Sequence, residues 1–219
     1  MKLQKDSIRT VCFVSLLGIS IILLSYFFVP WAWLKWTLIA IGTFMTWFII
    51  FFFRVPFREM PQGEGLVCSV ADGEVVIVEK TFEKEYLKRE CIQVSVYMNF
   101  FNVHTNFWPF DGVTTYYKYH PGKYMLAFLP KASELNEHAS AGVRYGEDGP
   151  EILFKQIAGT FARRIVNYAK PGEKFIGGEQ CGVIKFGSRL DMFLPLDSEI
   201  KVKVGDNVKA VSSVIAKLK

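Results

Sequence analysis

The sequence has few of the residues that would define a disulfide-bonded or zinc-binding protein. Its 219 residues include four cysteines and three histidines, and none of the cysteines forms a Cys-x-x-Cys pair. We therefore predict neither a disulfide framework nor a metal site. Isolated, reduced thiols are typical of a domain that faces the cytoplasm.

A concentrated basic surface is also missing. The chain has 26 basic and 21 acidic side chains and a formal net charge of +5, and several of the basic residues flank two apolar runs near the N-terminus. The rest of the chain is close to neutral and has no basic stripe, so nucleic acid is not an expected partner. This charge supports a weak attraction to an anionic membrane surface.

Charge is absent altogether from two stretches, residues 11–29 and 36–53. Each is long enough for a helix that crosses the hydrocarbon layer of a membrane, and Pro30 with neighbouring tryptophans lies between them. Basic residues precede the first run and follow the second, so both ends are expected in the cytoplasm. We predict a membrane anchor over residues 1–55, a transmembrane helical hairpin in the cytoplasmic membrane. A cleaved signal peptide is the alternative for the first run, but no small-x-small cleavage site follows it.

From residue 56 onwards, short alternating runs are separated by glycine-rich turns. Between Cys91 and Met98, apolar side chains alternate with polar ones, as in a strand with two different faces, and Val113–Tyr119 is similar. The pattern predicts a mainly β domain with minor α over residues 56–219, with a barrel or sandwich architecture. Residues 131–150 are polar and contain three glycines, which indicates a loop or a loosely held hairpin.

Several short motifs follow one another along this domain, and a Gly-Ser pair comes after them. They are Val70-Ala71-Asp72-Gly73, Val103-His104 with Pro109, His120-Pro121-Gly122-Lys123-Tyr124, Asn136-Glu137-His138, Gln156-Ile157-Ala158-Gly159 with Ala162-Arg163-Arg164-Ile165, and Gly187-Ser188. As an ordered set they resemble the phosphatidylserine decarboxylase family, in its short, membrane-anchored branch. Many members carry Leu-Gly-Ser-Thr at the last motif, whereas this chain has Phe186-Gly187-Ser188-Arg189.

The resemblance implies a carboxy-lyase that is made as a proenzyme. The chain would cleave itself between Gly187 and Ser188 into chains 1–187 and 188–219, which would stay together as a heterodimer. Ser188 would become a covalent pyruvoyl cofactor, and the substrate would be a serine phospholipid, phosphatidylserine, converted to phosphatidylethanolamine and CO2. By the same resemblance Ser188, His104 and Asp72 are catalytic, with His104 as the base and Asp72 orienting it. The resemblance leaves the lipid backbone and any homo-oligomer open.

The chemistry of these residue types agrees with that expectation. Ser188 Oγ can attack the carbonyl carbon of Gly187, where the absence of a Cβ permits close approach. A serine hydroxyl is a weak nucleophile that needs a base, and a histidine titrates near neutral pH. Elimination then leaves dehydroalanine, which hydrolyses to a pyruvoyl group and ammonia.

Each motif taken singly also has a simpler explanation, and other classes of protein share some of them. Gly-Ser is a common turn pair, His104 could be structural, and Asp72 before Gly73 could form a turn. The Asp72 turn and Val204–Val208 also resemble lipoyl-like barrel-sandwich domains, which would make the protein a non-catalytic, membrane-anchored adaptor or carrier. No lysine stands in an attachment context for that role, and a serine hydrolase would need Gly-x-Ser-x-Gly.

A cluster of aromatic residues follows the strand predicted between Cys91 and Met98 and is open to two interpretations. It is either ordinary core or a contact with lipid. Its members are Phe100, Phe101, Phe107, Trp108 and Phe110.

Overall fold

The computed structural model describes residues 2–126, 132–160, 164–185 and 188–219. The chain divides into two compact units, Met1–Phe57 and Arg58–Lys219. The predicted fold class is confirmed: the protein is mostly β, with two apolar helices at its N-terminus.

The first unit is built on two helices of 21 residues each, α1 (Ile8–Phe28) and α2 (Ala32–Phe52). A short strand before them, β1 (Lys2–Leu3), pairs with one after them, β2 (Arg54–Val55). Both helices are long and apolar enough to cross a membrane. They begin before the charge-free runs because a helix can continue past the part that suits hydrocarbon.

The two helices approach each other most closely at a pair of glycines. A Cβ added to Gly18 would lie 2.7 Å from the carbonyl oxygen of Gly42, and one added to Gly42 would lie 2.6 Å from that of Gly18. Small residues permit such backbone approach, which is typical of helix pairs in membranes. The helical hairpin therefore depends on glycine at both positions.

The second unit contains fourteen strands and one short helix among the described residues. They are β3 (Leu66–Cys68), β4 (Gly73–Glu83), β5 (Arg89–Met98), β6 (Thr105–Phe107), β7 (Gly112–His120), α3 (Ala132–Leu135), β8 (His138–Tyr145), β9 (Glu151–Ala158), β10 (Arg164–Asn167), β11 (Lys174–Phe175), β12 (Gln180–Lys185), β13 (Ser188–Leu194), β14 (Glu199–Ile200), β15 (Asn207–Val208) and β16 (Val214–Lys217).

Most of these strands belong to one antiparallel sheet of eight, in the order β11-β7-β8-β9-β13-β5-β4-β15. Two three-stranded sheets, β10-β12-β6 and β14-β16-β3, complete the unit. Strand β13 lies near the middle of the large sheet and pairs with β5 on one side and β9 on the other. The residue that begins β13 is therefore fixed from both sides.

The two faces of the large sheet differ in chemistry. Val94, Val96 and Met98 of β5 join Leu190 and other side chains of β13 in the main hydrophobic core. The intervening side chains of the same strands point to the opposite face, because side chains alternate along a strand. That face is also buried, although it is polar, and it includes Gln93 and Ser95.

For residues 131–150 we predicted a loop or a loosely held hairpin; the described residues include one strand and the turn of a β8–β9 hairpin that is firmly held, so the loop interpretation was wrong. Within that segment, β8 is an interior strand of the large sheet, paired with β7 and β9. It is rich in small residues, and Ala139, Ala141 and Val143 are fully buried. Because small side chains have low hydrophobicity, the sequence of this buried strand resembles that of a polar loop.

Candidate active site

Ser188, the predicted source of the cofactor, is the first residue of β13. It is fully buried and is paired with Met98 of β5 and Ala158 of β9. Its hydroxyl lies 3.2 Å from the sulfur of Met98. Gly187 and Phe186, on the other side of the predicted cleavage site, lie outside the described residues, as do Ala162 and Arg163.

His104, the predicted base, is also fully buried and comes just before β6. Its Nδ1 is 3.0 Å from the carbonyl oxygen of Asn102. A carbonyl can only accept a hydrogen bond, so Nδ1 carries the proton in the neutral ring and Nε2 is the basic nitrogen. The backbone of His104 runs beside β12, since the Ile184 amide donates to the His104 carbonyl at 3.3 Å. The structure thus places His104 next to the strand that leads to the predicted cleavage site.

Asp72, the predicted orienting acid, is nearly buried in the turn before β4. Its carboxylate forms a bidentate ion pair with Arg58, whose Nη2 is 2.7 Å from Oδ2. It also accepts a hydrogen bond of 2.9 Å from the Ala210 amide. The segments of Asp72 and His104 run side by side, because the Phe107 amide donates to the Val70 carbonyl at 3.0 Å.

Backbone hydrogen bonds therefore pair the segment of Asp72 with that of His104, and His104 with β12, whereas Ser188 pairs with β5 and β9. In the described part of the protein, the Ser188 hydroxyl contacts Met98 and the Asp72 carboxylate contacts Arg58 and Ala210. Arg58 as the partner of Asp72 was not foreseen from the sequence. No local motif signals an ion pair between residues that lie 14 positions apart across a turn-rich segment.

A chain of three amide side chains begins at Met98, the residue that the Ser188 hydroxyl contacts, and was not assigned from the sequence either. Asn106 contacts the sulfur of Met98 at 4.0 Å and accepts a 2.8 Å hydrogen bond from Gln156. Asn167 in turn donates to Gln156 at 2.8 Å. Gln156 belongs to the motif Gln156-Ile157-Ala158-Gly159, which the sequence analysis identified. Its hydrogen bonds to Asn106 and Asn167 were not predicted. Asn106 and the Ser188 hydroxyl thus both contact the Met98 sulfur.

Arg189, directly after Ser188, is fully buried on the polar face of the sheet. Its Nε donates to Asp191 Oδ1 at 2.6 Å, and both side chains are completely covered. Its Nη2 also reaches the hydroxyls of Ser95 at 3.1 Å and Ser133 at 2.8 Å. This residue therefore ties the start of β13 to β5.

Further along the polar face is a group of charged side chains centred on Glu85. His120 Nε2 and Lys155 Nζ lie 2.7 Å and 2.8 Å from its two oxygens. Burial alone would raise the pKa of Glu85, but hydrogen bonds from Lys155 and His120 outweigh it and lower the pKa to about 2. Burial lowers the pKa of the neighbouring His138.

Glu85, His120 and His138 offer ligand atoms within 4.8 Å of one another, close enough to be considered as a metal site. However, the two imidazole rings are stacked, with centroids 4.3 Å apart and planes 14° from parallel. The lone pair of an imidazole nitrogen lies in its ring plane, so two stacked rings cannot both direct a lone pair at one ion. The arrangement is that of an ion-pair network.

The predicted site residues are buried and do not line a large pocket found among the described residues. This pocket of about 510 Å³ lies between Asp111–Val113, Gly146–Glu147 and Lys174–Ile176, and none of Ser188, His104 and Asp72 lines it. Ser188 and His104 are both without solvent exposure.

Comparisons with known proteins match the same part of the chain. A sequence model of the family described as phosphatidylserine decarboxylase matches residues 45–216. The phosphatidylserine decarboxylase proenzyme of Amoebophilus asiaticus is 49% identical over 177 residues, which cover 81% of this chain and 78% of the relative. That of Parabacteroides distasonis is 44% identical over 179 residues, 81% of each. That of Cytophaga hutchinsonii is 37% identical over 217 residues, 99% of this chain and 98% of the relative.

Proposed function

The chain belongs to the phosphatidylserine decarboxylase family, and from this premise we propose that Ser188 becomes the pyruvoyl group with which it decarboxylates phosphatidylserine. It is a lyase that converts this lipid to phosphatidylethanolamine and CO2, and it is made as a proenzyme. The observation that supports Ser188 most is its position: a fully buried serine at the first position of a strand paired on both sides. A non-catalytic adaptor is not retained, because the matched family is one of enzymes.

The surroundings of Ser188 fit a cofactor made from its own backbone and side chain. The family is pyruvoyl-dependent, and such a group supplies a carbonyl that withdraws electrons as carbon dioxide leaves the substrate. At Ser188 the group would stay attached to β13, which the sheet holds in register over Ser188–Phe193. Asn106 and Gln156 provide amide groups close to it.

Self-cleavage can be derived from the chain's own residues. A base removes the proton of the Ser188 hydroxyl, and Oγ attacks the Gly187 carbonyl carbon, so that an ester replaces the amide and the Ser188 nitrogen becomes an amine. Loss of the Cα proton then breaks the Cβ–Oγ bond and releases the Gly187 carboxylate. Water replaces nitrogen at the remaining dehydroalanine and ammonia leaves. The hydroxyl must first rotate away from the Met98 sulfur that it contacts in the uncleaved chain.

We assign the role of base to His104. The Asn102 carbonyl holds the proton on Nδ1, which leaves Nε2 as the basic nitrogen, and the histidine backbone adjoins the strand that leads to the cleavage site. After cleavage, the same side chain is proposed to deliver the proton that replaces the lost carboxylate.

His104→Ala is expected to slow self-cleavage by about 10²–10⁴-fold, the usual contribution of a positioned general base. A time course on a denaturing gel would measure it. His120→Ala is the matched control, because His120 belongs to the Glu85 network and is expected to process normally. Normal cleavage and decarboxylation by His104→Ala would remove this residue from the mechanism.

We propose that Asp72 orients His104 and stabilises its protonated form. In the uncleaved chain the carboxylate is engaged by Arg58 and Ala210, so this role requires it to exchange partners as the site rearranges. Asp72 lies in a turn that is fixed at Gly73, where a Cβ would come within 2.1 Å of the Tyr97 carbonyl oxygen.

Asp72→Asn is expected to slow self-cleavage by about two orders of magnitude or more, because an amide stabilises the imidazolium poorly. Arg58→Gln removes the described partner of Asp72 but leaves the negative charge of Asp72 in place. This variant is therefore expected to cleave itself at close to the normal rate. The gel assay compares the two. Equal slowing in both variants would show that Asp72 acts through its ion pair with Arg58 and not on His104.

Cleavage would yield chains 1–187 and 188–219, which we propose remain a heterodimer. The small chain would contain β13 to β16, and three of these strands would remain hydrogen-bonded to strands of the large chain. β13 pairs with β5 and β9, β15 with β4, and β16 with β3. Backbone pairing of this extent would hold the two chains together without a covalent bond between them, and the cofactor would remain in place at the start of β13.

We propose further that residues 1–55 anchor the protein in the cytoplasmic membrane and that residues 56–219 form the catalytic domain on the cytoplasmic side. The two apolar helices of the first unit are long enough to cross a bilayer. Lys2 and Lys5 before them, Arg9 in the first turn of α1, and Arg54 and Arg58 after α2 support cytoplasmic ends. This arrangement would keep the enzyme at the surface where its lipid substrate is found.

A further inference from the structure

The turn Asn99–Asn102, which follows β5, exposes two aromatic rings. Phe101 is 66% exposed and Phe100 is 37% exposed. The other aromatic residues of this stretch are buried, with Trp108 and Phe110 in the main core and Phe107 4% exposed. The structure thus divides the aromatic cluster into a core part and a surface part.

The turn is held by its two asparagines. The Asn102 amide donates to the Asn99 carbonyl at 3.1 Å, and the Asn99 amide donates to the Asn102 side chain at 2.8 Å. The Phe101 amide donates to Asn99 Oδ1 at 2.9 Å. Asparagine side chains that bond nearby backbone in this way stabilise a tight turn. The turn itself therefore presents both rings outwards.

Both ends of the turn reach the proposed active site. Met98, directly before it, contacts the Ser188 hydroxyl. Asn102, its last residue, accepts the Nδ1 hydrogen bond of His104. Phe100 and Phe101 are consequently only one to three positions in the chain from Met98 and Asn102, which contact the proposed site residues.

A single exposed apolar side chain needs no explanation, but this pair stands beside a site that acts on a phospholipid. The acyl chains of such a substrate remain in the bilayer while its headgroup must reach Ser188. The protein surface next to the site must then face the membrane interface, where aromatic rings are favoured.

We propose that the Asn99–Asn102 turn is a lipid-contact surface, through which Phe100 and Phe101 enter the interface of a phospholipid bilayer beside the active site. This inference rests on the proposed function, because it takes the substrate to be a bilayer lipid. The turn would hold this side of the catalytic domain at the bilayer interface and would contribute to interfacial binding, not to the chemical steps.

The first experiment compares two forms of the substrate with the processed full-length enzyme. The double variant Phe100→Ser/Phe101→Ser is expected to lose about tenfold in kcat/KM on vesicles of phosphatidylcholine and phosphatidylserine, because two rings no longer enter the interface. On dispersed short-chain phosphatidylserine its kcat/KM is expected to stay within about twofold of wild type. Self-cleavage is expected to be unchanged. Phe82→Ser, which removes a half-exposed ring of β4, is the matched control and should alter neither rate.

Three outcomes would overturn the proposal. Equal loss on both substrates would mean that the turn acts through the geometry of the site. No loss on vesicles would mean that the rings do not contribute to lipid binding. Slower self-cleavage would assign the turn a structural role. A wild-type chain that decarboxylates neither substrate would instead refute the proposed function.

A second experiment does not depend on activity. A photoreactive benzoylphenylalanine at position 101, irradiated in the full-length chain in vesicles, is expected to add the mass of one phospholipid, whereas the same group at position 82 is expected not to. Attachment to a second copy of the chain, or no lipid adduct at position 101, would contradict the proposal.

Discussion

Ser188→Ala is expected to stay in one piece and to have no decarboxylase activity. Alanine lacks the hydroxyl that attacks Gly187 and cannot give rise to a pyruvoyl group, so both reactions are lost together. A denaturing gel measures the first, and release of carbon dioxide from phosphatidylserine measures the second. Because Ser188 is fully buried and alanine is smaller and apolar, the variant is expected to fold, which thermal unfolding would verify.

Two further serine variants separate the steps. Ser188→Thr keeps an attacking hydroxyl, but any cleavage would leave a group that is one methylene larger than pyruvoyl, visible in the mass of the small chain. Ser198→Ala changes another buried serine of the same small chain and is expected to be cleaved and active. Cleavage or decarboxylation at a normal rate by Ser188→Ala would contradict the assignment.

Arg189→Met is expected to destabilise the domain by about 3–5 kcal/mol, because it leaves the buried Asp191 carboxylate without its cation. For a domain of this size that corresponds to a fall in Tm on the order of 10 °C. The measurement belongs in the Ser188→Ala background, where the chain is uncleaved and stability is not mixed with processing. Asp191 keeps hydrogen bonds from Gln93 and Ser133, which compensate a carboxylate only in part.

The double variant Arg189→Met/Asp191→Leu is the control for this interpretation. Removing both charges at once leaves no unpaired ion, and apolar replacements of buried ion pairs are often close to neutral. We therefore expect the double variant to be more stable than Arg189→Met alone. A double variant that is less stable than the single one would show that the charged pair stabilises the fold on balance.

Strands in which apolar and polar side chains alternate regularly could be predicted from the sequence. The burial of their polar face could not. The pattern in β5 correctly separated Val94 and Val96 from Gln93 and Ser95. It did not reveal that the polar face is buried as well, because Arg189 and Asp191 come from a distant part of the chain and meet β5 only in the folded sheet. Strand β8 was missed for a related reason, since its small side chains are buried by larger neighbours.

The sequence could predict those residues of the candidate site that belong to local motifs. The ordered motifs predict Ser188, His104 and Asp72 as site residues, and the structure pairs the segment of Asp72 with that of His104 and His104 with β12. The partners of these residues were not predictable: Arg58 for Asp72, the Asn102 carbonyl for His104 and Met98 for Ser188. Each of these contacts depends on a turn or on strand register, and neither is encoded in a motif.

The mass of the small chain of the purified wild-type protein tests the central claim most directly. We predict a fragment that begins at position 188 and ends at Lys219, resists N-terminal sequencing, and is lighter than the unmodified fragment by one ammonia. The remainder of the chain is predicted to end at Gly187 with a free carboxylate. An intact chain with an unmodified serine at position 188, or a cleavage at any other bond, would contradict the account.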